Sequence, residues 1–312
     1  MASRRLRVGT RGSALALAQA RLAVAALRAV LPPHDGDVET EVVVVHAQGD
    51  RDAHTPLSLL GGRGVFVREL EGALLDGRVD VAVHSLKDVP TALLEGCALA
   101  ATLPRGDVRD ALVSRDGVPL ALLPAGSRVG TASLRRSVQL RALRPDLEYA
   151  EIRGNVDTRI RKVREGAYGA VVLAWAGLDR LGRRSEAAQV FTEDEVLPAP
   201  GQAAIALEVR ADDEATRAWC GAAGDGRTWA AVTAERTFLA TLGAGCHAPV
   251  GCLARFEDDL LVVTGLVGDP AGRTMRASLV GSAGEDPADL GLALARRMLL
   301  DGADALLAEA HT

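Results

Sequence analysis

The chain has 312 residues, 48% of them hydrophobic and 25% charged, which describes a globular protein too long for one core, so two or three domains are expected. A net charge of −5 and an aromatic content of 3% argue against a nucleic-acid partner, which asks for a basic domain or an aromatic stacking platform. No stretch reads as a signal peptide or as a bilayer span, and Cys97, Cys220, Cys246 and Cys252 show no C-x-x-C spacing, so free thiols in the cytoplasm are expected.

In chain order, Leu6 and Val8 open a short strand that ends at Gly9-Thr10-Arg11-Gly12-Ser13. An Ala- and Leu-rich helix is predicted from Ala14 to Leu31, with Ser13 as its N-cap and Pro32-Pro33 as its stop. Arg11 and Ser13 thus flank a helix N-terminus, where free N–H groups and the helix dipole favour an anion. Gln19 lies one to two turns further, close enough to face the same cleft. A strand over 38–45 follows, then a loop over 55–64 whose G-G-R-G is too short for a phosphate loop. The helix predicted over 65–76 aligns Phe66, Leu70 and Leu74 and has Gly77 as C-cap.

Val79, Val81 and Val83 then alternate with Asp80 and Ala82 as a strand does, and the run stops in His84, Ser85, Lys87 and Asp88 before Pro90. Polar side chains crowded at the carboxyl end of a strand sit where open α/β sheets place their ligands. Taken alone, the same residues also suit a solvated turn with a surface Lys–Asp pair. The segment P-R-G-D-V-R-D over 104–110 reads as a linker.

After it, Val129-Gly130-Thr131 repeats Val8-Gly9-Thr10, a serine follows each (Ser133 and Ser13), and then a helix, so two α/β domains of one design are expected. Ser133-Leu134-Arg135-Arg136 puts two guanidiniums in a first helical turn, where they oppose the dipole and a bound anion would relieve them. A strand over 147–152 runs into Arg153-Gly154-Asn155-Val156-Asp157-Thr158-Arg159, where a Gly-Asn turn can aim Arg153 and Arg159 at one cleft. Arg161, Lys162 and Arg164 read as a solvated basic face. A strand over 170–174 and a glycine-rich stretch over 175–183 continue the pattern. L-P-A-P-G-Q over 197–202 reads as a rigid crossing that leads into a strand over 203–209.

The remainder differs. A helix over 228–242 ends in Gly243-Ala244-Gly245-Cys246-His247-Ala248-Pro249, and strands over 248–256, 260–267 and 274–281 with a helix from Pro287 make a small α+β domain. Cys246, in a glycine-rich loop, is the cysteine expected to be reactive, whereas Cys97, Cys220 and Cys252 read as small buried hydrophobes. A metal site from Cys246, His247 and Cys252 is the weaker reading, because zinc asks for three or four ligands and no partner pair is visible; no metal is expected.

The stretches V-G-T-R-G-S-A-L-A-L-A-Q, V-A-V-H-S-L-K-D-V-P, V-G-T-A-S-L-R-R, R-G-N-V-D-T-R, L-P-A-P-G-Q and A-G-C-H-A-P-V-G occur in this order and together closely resemble the porphobilinogen deaminases, also called hydroxymethylbilane synthases. The resemblance covers nearly the whole chain. It implies an α/β protein of two similar domains like those of periplasmic binding proteins, 1–104 with 202–222 and 105–201, plus a small α+β domain, 223–312, that carries the cysteine loop. It implies a monomeric cytoplasmic transferase of tetrapyrrole (haem-type) biosynthesis that needs no membrane. The family joins four porphobilinogen molecules head to tail into hydroxymethylbilane and releases ammonia at each step. Its primer, a dipyrromethane, is bound through a thioether to a cysteine that matches Cys246. A thiolate suits capture of the electrophilic methylene of an activated pyrrole.

By position in the motifs, Lys87, Ser133, Arg135 and Arg136 would hold the cofactor, and Arg11, Ser13, Gln19, Arg153, Arg159 and Gln202 the substrate or the growing chain. Each pyrrole carries an acetate and a propionate, which guanidiniums bind in bidentate fashion. Asp88 matches the catalytic aspartate, a carboxylate that would stabilise pyrrolic cations and help to move protons. Three positions depart from the family pattern: Ala203 and Ala244 where glycine is frequent, and Arg63 where lysine is common. A non-catalytic two-lobed binding protein for a small polyanion is the competing reading; it would explain the strand-end arginines but neither Cys246 nor the third domain.

Overall fold

The structure, a computed structural model, describes residues 5–31, 38–45, 64–245, 248–282 and 284–309. In chain order the elements begin β1 (Arg5–Thr10), α1 (Ala14–Val30), β2 (Glu39–Val44), α2 (Gly64–Leu75), β3 (Val81–Ser85) and β4 (Cys97–Thr102). There follow β5 (Asp110–Ser114), β6 (Arg128–Gly130), α3 (Leu134–Leu143), β7 (Glu148–Ala150), α4 (Val156–Arg164), β8 (Ala170–Ala174), α5 (Trp175–Arg180) and β9 (Gln189–Val190). The chain ends with β10 (Ile205–Arg210), α6 (Glu214–Ala223), α7 (Gly226–Thr241), β11 (Val250–Glu257), β12 (Leu260–Gly268), β13 (Thr274–Val280), α8 (Pro287–Leu300) and α9 (Ala303–Glu309). These form two compact units, Met1–Arg105 with Ala204–Trp229, and Gly106–Ala203 with Ala230–Thr312.

The first unit is built on a five-stranded sheet of order β2-β1-β3-β10-β4, in which β1 is parallel to β2 and β3, and β10 runs antiparallel to β3 and β4. Ser13 caps α1 by accepting the N–H of Ala16 at 3.2 Å, and Ala20, Ala23, Val24 and Leu27 are buried on one face of the helix. Strand β3 lies mid-sheet and is buried on both faces: Val81 and Val83 pack in the core that includes α1, while Val79 and Ala82 join Leu70, Ala73 and Leu74 of α2. The alternation read in Val79–Val83 is therefore one of large and small side chains, not of buried and exposed ones. Strand β4 and helix α6 were not expected from the sequence; Ala101 and Cys220 from them complete the α1 core.

The second unit contains a sheet of order β7-β6-β8-β5-β9, with β6 parallel to β7 and β8, and β5 antiparallel to β8 and β9. Strand for strand this is the plan of the first sheet, with β5 in the place of β10. The repeated V-G-T belongs to that plan. A Cβ on Gly9 would stand 2.9 Å from Val79, and one on Gly130 3.0 Å from Ile152, so each glycine is required by a branched side chain pressed onto the strand. The stretch over 175–183, expected only to continue the pattern, begins as helix α5.

The antiparallel meander β11-β12-β13 also lies in this unit. Phe238 of α7 and Leu294 and Met298 of α8 fill its core with Cys252 and Val263. Helix α3 contacts β11 and β12, and Leu197 packs with Leu253 and Leu266. Glu235 of α7, 0% exposed, accepts the N–H of Gly201 at 2.6 Å and that of Ala254 at 2.8 Å, tying the 197–202 crossing to the meander. Ala203, at the end of that crossing, has φ 69°, a left-handed conformation that favours glycine.

Candidate active site

In the first unit, β3 ends in a single tight turn over Leu86–Asp88. Leu86 and Val89 are 1% and 2% exposed, the N–H of Leu86 donates to the carbonyl of Ala204 at 3.0 Å, and that of Val89 to Leu86 at 3.0 Å. Lys87 and Asp88 are thus carried half-buried between two anchored hydrophobes. Just before them, the Ser85 hydroxyl accepts from Nε2 of Gln19 at 2.8 Å and donates to its Oε1 at 3.0 Å. Gln19, expected to share a cleft with Arg11 and Ser13, is thus bonded directly to Ser85, three residues before Asp88 in the chain. Arg11 stands half-buried between β1 and α1, and Ser13 serves as the helix cap.

In the second unit, Ser133 occupies the N-cap position of α3, but its hydroxyl makes no capping bond. Arg135 and Arg136 follow, only 3% and 6% exposed. Their charge has a resident partner that the sequence did not announce. Nη2 of Arg135 donates to Oδ2 of Asp110 at 2.8 Å, and Nη2 of Arg136 to its Oδ1 at 2.6 Å, with Asp110 fully buried at the start of β5. The segment 104–110 read as a linker therefore ends in the counter-ion of the guanidinium pair. Arg135 Nη1 also donates to the carbonyl of Leu197, and Arg136 Nη1 to that of Val172, so both side chains are fixed in direction.

Gln202, expected to touch substrate, is 0% exposed and donates Nε2 to the carbonyl of Val108 at 2.7 Å and to Oδ1 of Asp110 at 2.9 Å. Enclosed in this way, its amide serves Asp110. Arg153 and Arg159 lie at the β7–α4 junction, where Asn155 caps α4 by accepting from Thr158 N at 3.0 Å. Arg159 Nε folds back onto the carbonyl of Gly154 at 2.7 Å, and Arg153 Nε donates to Glu151 at 3.0 Å. The Gly-Asn turn therefore keeps the two guanidiniums on one junction. Arg161 and Arg164 pair with Glu165 and Glu186 in an exposed setting, as a solvated face does.

Cys246 and His247 lie outside the described residues. Of the other thiols, burial pushes Cys97 and Cys220 up to about 12, and Cys252 is 0% exposed. Among the described residues, no group of three His, Cys, Asp or Glu could hold a metal.

Asp110 is shared between two guanidiniums, and Nε of Arg136 is buried with no hydrogen-bond partner among the described residues. Within the second unit, these guanidiniums and the Ser133 hydroxyl, which makes no capping bond, are groups of the kind that bind carboxylates. Each unit thus offers its own polar group at a strand end or helix start: a half-buried carboxylate on a tight turn in the first, and two buried arginines in the second.

The comparisons name the class. "Porphobilinogen deaminase, dipyromethane cofactor binding domain" matches residues 6–218, and "Porphobilinogen deaminase, C-terminal domain" matches residues 229–300. The chain belongs to the porphobilinogen deaminase family. The porphobilinogen deaminase of Roseiflexus sp. (strain RS-1) is 48% identical over 301 residues, covering 96% of this chain and 98% of the relative. That of Acidothermus cellulolyticus is 49% identical over 307 residues, covering 97% and 91%. The solved methionine binding protein MetQ is 14% identical, covering 72% of this chain and 92% of that one at a TM-score of 0.44, a likeness too slight to argue from.

Proposed function

We propose that this chain, a transferase of tetrapyrrole synthesis, joins four porphobilinogen molecules head to tail with release of ammonia, using Asp88 as its catalytic carboxylate and Cys246 as the thioether anchor of a dipyrromethane. What carries the role of Asp88 is its place on a turn clamped by Leu86 and Val89, beside the Gln19–Ser85 pair. A carboxylate preorganised in this way stabilises positive charge without reorganising during the reaction.

Each condensation breaks the aminomethyl C–N bond of porphobilinogen and forms a C–C bond to a pyrrole α-carbon. Nitrogen departs as ammonia and takes one proton; the attacked α-carbon gives one up. Asp88, accepting and returning a proton, ends each cycle unchanged. Its negative charge also stabilises the pyrrolic cation on either side of C–C bond formation. A bound dipyrromethane would supply the free pyrrole carbon for the first condensation. Lys87, Ser133, Arg135 and Arg136 would hold its carboxylates, and Arg11, Ser13, Gln19, Arg153 and Arg159 would hold those of the substrate and growing chain, with Gln202 acting through Asp110.

Three described thiols are poor nucleophiles, raised by burial or enclosed, which supports Cys246 as the anchor. Free cysteines at 97, 220 and 252 also suit a reducing compartment, the cytoplasm. No helix among the described residues is long and apolar enough to cross a membrane. The test is intact mass with an aldehyde reagent that colours pyrroles: the native chain should carry two pyrrole units, and Cys246→Ser none and no turnover. A Cys246→Ser protein that still carries the dipyrrole would overturn the assignment.

A further inference from the structure

On the face of the first sheet that α2 covers lies a group of ionisable side chains that the reaction does not use. Nε2 of His84 is 2.8 Å from Oε2 of Glu208, and the two side chains are 5% and 0% exposed. The distance is that of an ion contact, although the ring N–H is not aligned for a hydrogen bond. In the β3–β10 ladder His84 stands opposite Ala206 and Glu208 opposite Ala82, so the contact runs diagonally across two strands. Glu71 of α2 is also buried and accepts the N–H of Leu94 at 2.8 Å; burial lifts its carboxyl above the ordinary range. Cys97 of β4 completes the group, its thiol raised by burial and by the charges of Glu208 and Glu71.

Among the described residues, Glu208 has no ion-pair partner but His84. A carboxylate shut away from water is costly to bury alone, and His84 is the group that stands against it. Such a pair adds little stability over well-packed apolar side chains of the same volume; its use is to specify one arrangement. The arrangement specified here is the end of β3. Strand β10 and the residue before it reach that end twice, through Glu208 to His84 and through the Ala204 carbonyl to the N–H of Leu86. Lys87 and Asp88 follow outside the ladder, so their position is inherited from the residues that precede them.

We propose that His84 and Glu208 are a positioning pair, whose close buried contact draws the carboxyl end of β3 onto β10 and so sets where the Asp88 carboxylate stands. This role presupposes that Asp88 is the catalytic carboxylate, as proposed above. Two variants separate positioning from packing. Glu208→Gln keeps the shape and removes the charge. The double variant His84→Phe with Glu208→Leu replaces the pair by apolar volume, which should restore packing without any attraction directed from β10.

Both proteins should carry the dipyrrole by intact mass. The double variant should melt near the wild-type temperature, yet in both kcat on porphobilinogen should fall by roughly 10–100-fold with KM changed less than about 2-fold, as a displaced catalytic group requires. A double variant that melts and turns over like the wild type would show the pair to be packing alone and would overturn the proposal. Wild-type kcat in Glu208→Gln would do the same, and decides the matter should the double variant fail to fold. Asp88→Asn is measured alongside: if it turns over normally, the catalytic reading itself has failed, and the positioning role falls with it.

Discussion

The two five-stranded sheets follow one strand order, and in each the fourth strand runs antiparallel and bears a fully buried acid, Glu208 on β10 and Asp110 on β5. They hold different things. Glu208 meets one histidine of the neighbouring strand, whereas Asp110 meets two guanidiniums from the start of a helix and the amide of Gln202. In the first sheet the polar groups beyond the held strand end, Lys87 and Asp88, remain half-exposed. In the second, the cationic groups are themselves the ones held, nearly out of solvent. One backbone plan can thus carry a half-exposed carboxylate beyond a strand end or a buried pair of guanidiniums, with the fourth-strand acid given a different partner in each.

The sharpest way to break this comparison is to make one substitution in both regions. Asp110→Asn leaves two buried guanidiniums without their carboxylate and should cost about 3–5 kcal/mol, read as a lowered urea midpoint. Asp88→Asn should leave that midpoint within about 0.5 kcal/mol of wild type, because Asp88 is half-exposed, yet reduce turnover by ~10²–10³ with the dipyrrole still present by mass. Should Asp110→Asn prove harmless to stability, the counter-ion account of the second sheet is wrong.

Arginine replacements sharpen the same contrast at a smaller scale. Arg135→Leu or Arg136→Leu removes charge-assisted bonds of roughly 1.5–3 kcal/mol each and should lower dipyrrole occupancy. Arg11→Leu or Arg153→Leu should instead load fully and stall elongation, which mass spectra after incubation with porphobilinogen would show. Equal loading and elongation in all four would refute the division of labour.

A further buried acid of the first sheet, Asp80, serves as the control for stability without catalysis. Burial pushes its carboxyl up, but bonds from the Arg7 guanidinium and backbone N–H, and from Arg210, bring it below the ordinary range. A depressed folded value means stability that is present above the unfolded pKa and lost as pH falls through the folded one. Acid unfolding should therefore set in below about pH 4, and Asp80→Asn should flatten that limb by about 1 kcal/mol while sparing turnover. The smallest effect is a gain: Ala203→Gly relieves the left-handed φ and should raise the denaturation midpoint by about 0.5–1 kcal/mol, less than the full strain because glycine also loosens the unfolded chain.

Local chemistry was legible from residues alone. The Ser13 cap, the strand ends at Thr10 and Ser85 and the Gly-Asn turn before α4 follow from side chains acting on their own backbone within a few positions, whereas the glycine of each V-G-T answers to a distant side chain, Val79 or Ile152. The polar cluster after Val83 marked where the strand ends by the same local action. Tertiary structure alone decided the partners of buried charge. Asp110 reads as part of a linker until β5 places it under Arg135 and Arg136; Gln202 reads as a substrate contact at the end of a rigid crossing until the fold buries it against Asp110. The approach of Glu208 to His84 depends on β10 entering the sheet beside β3, a pairing of distant segments that no spacing encodes. A cap is chosen by the neighbouring peptide groups, but a counter-ion is chosen by whatever the folded chain leaves within reach where water is excluded.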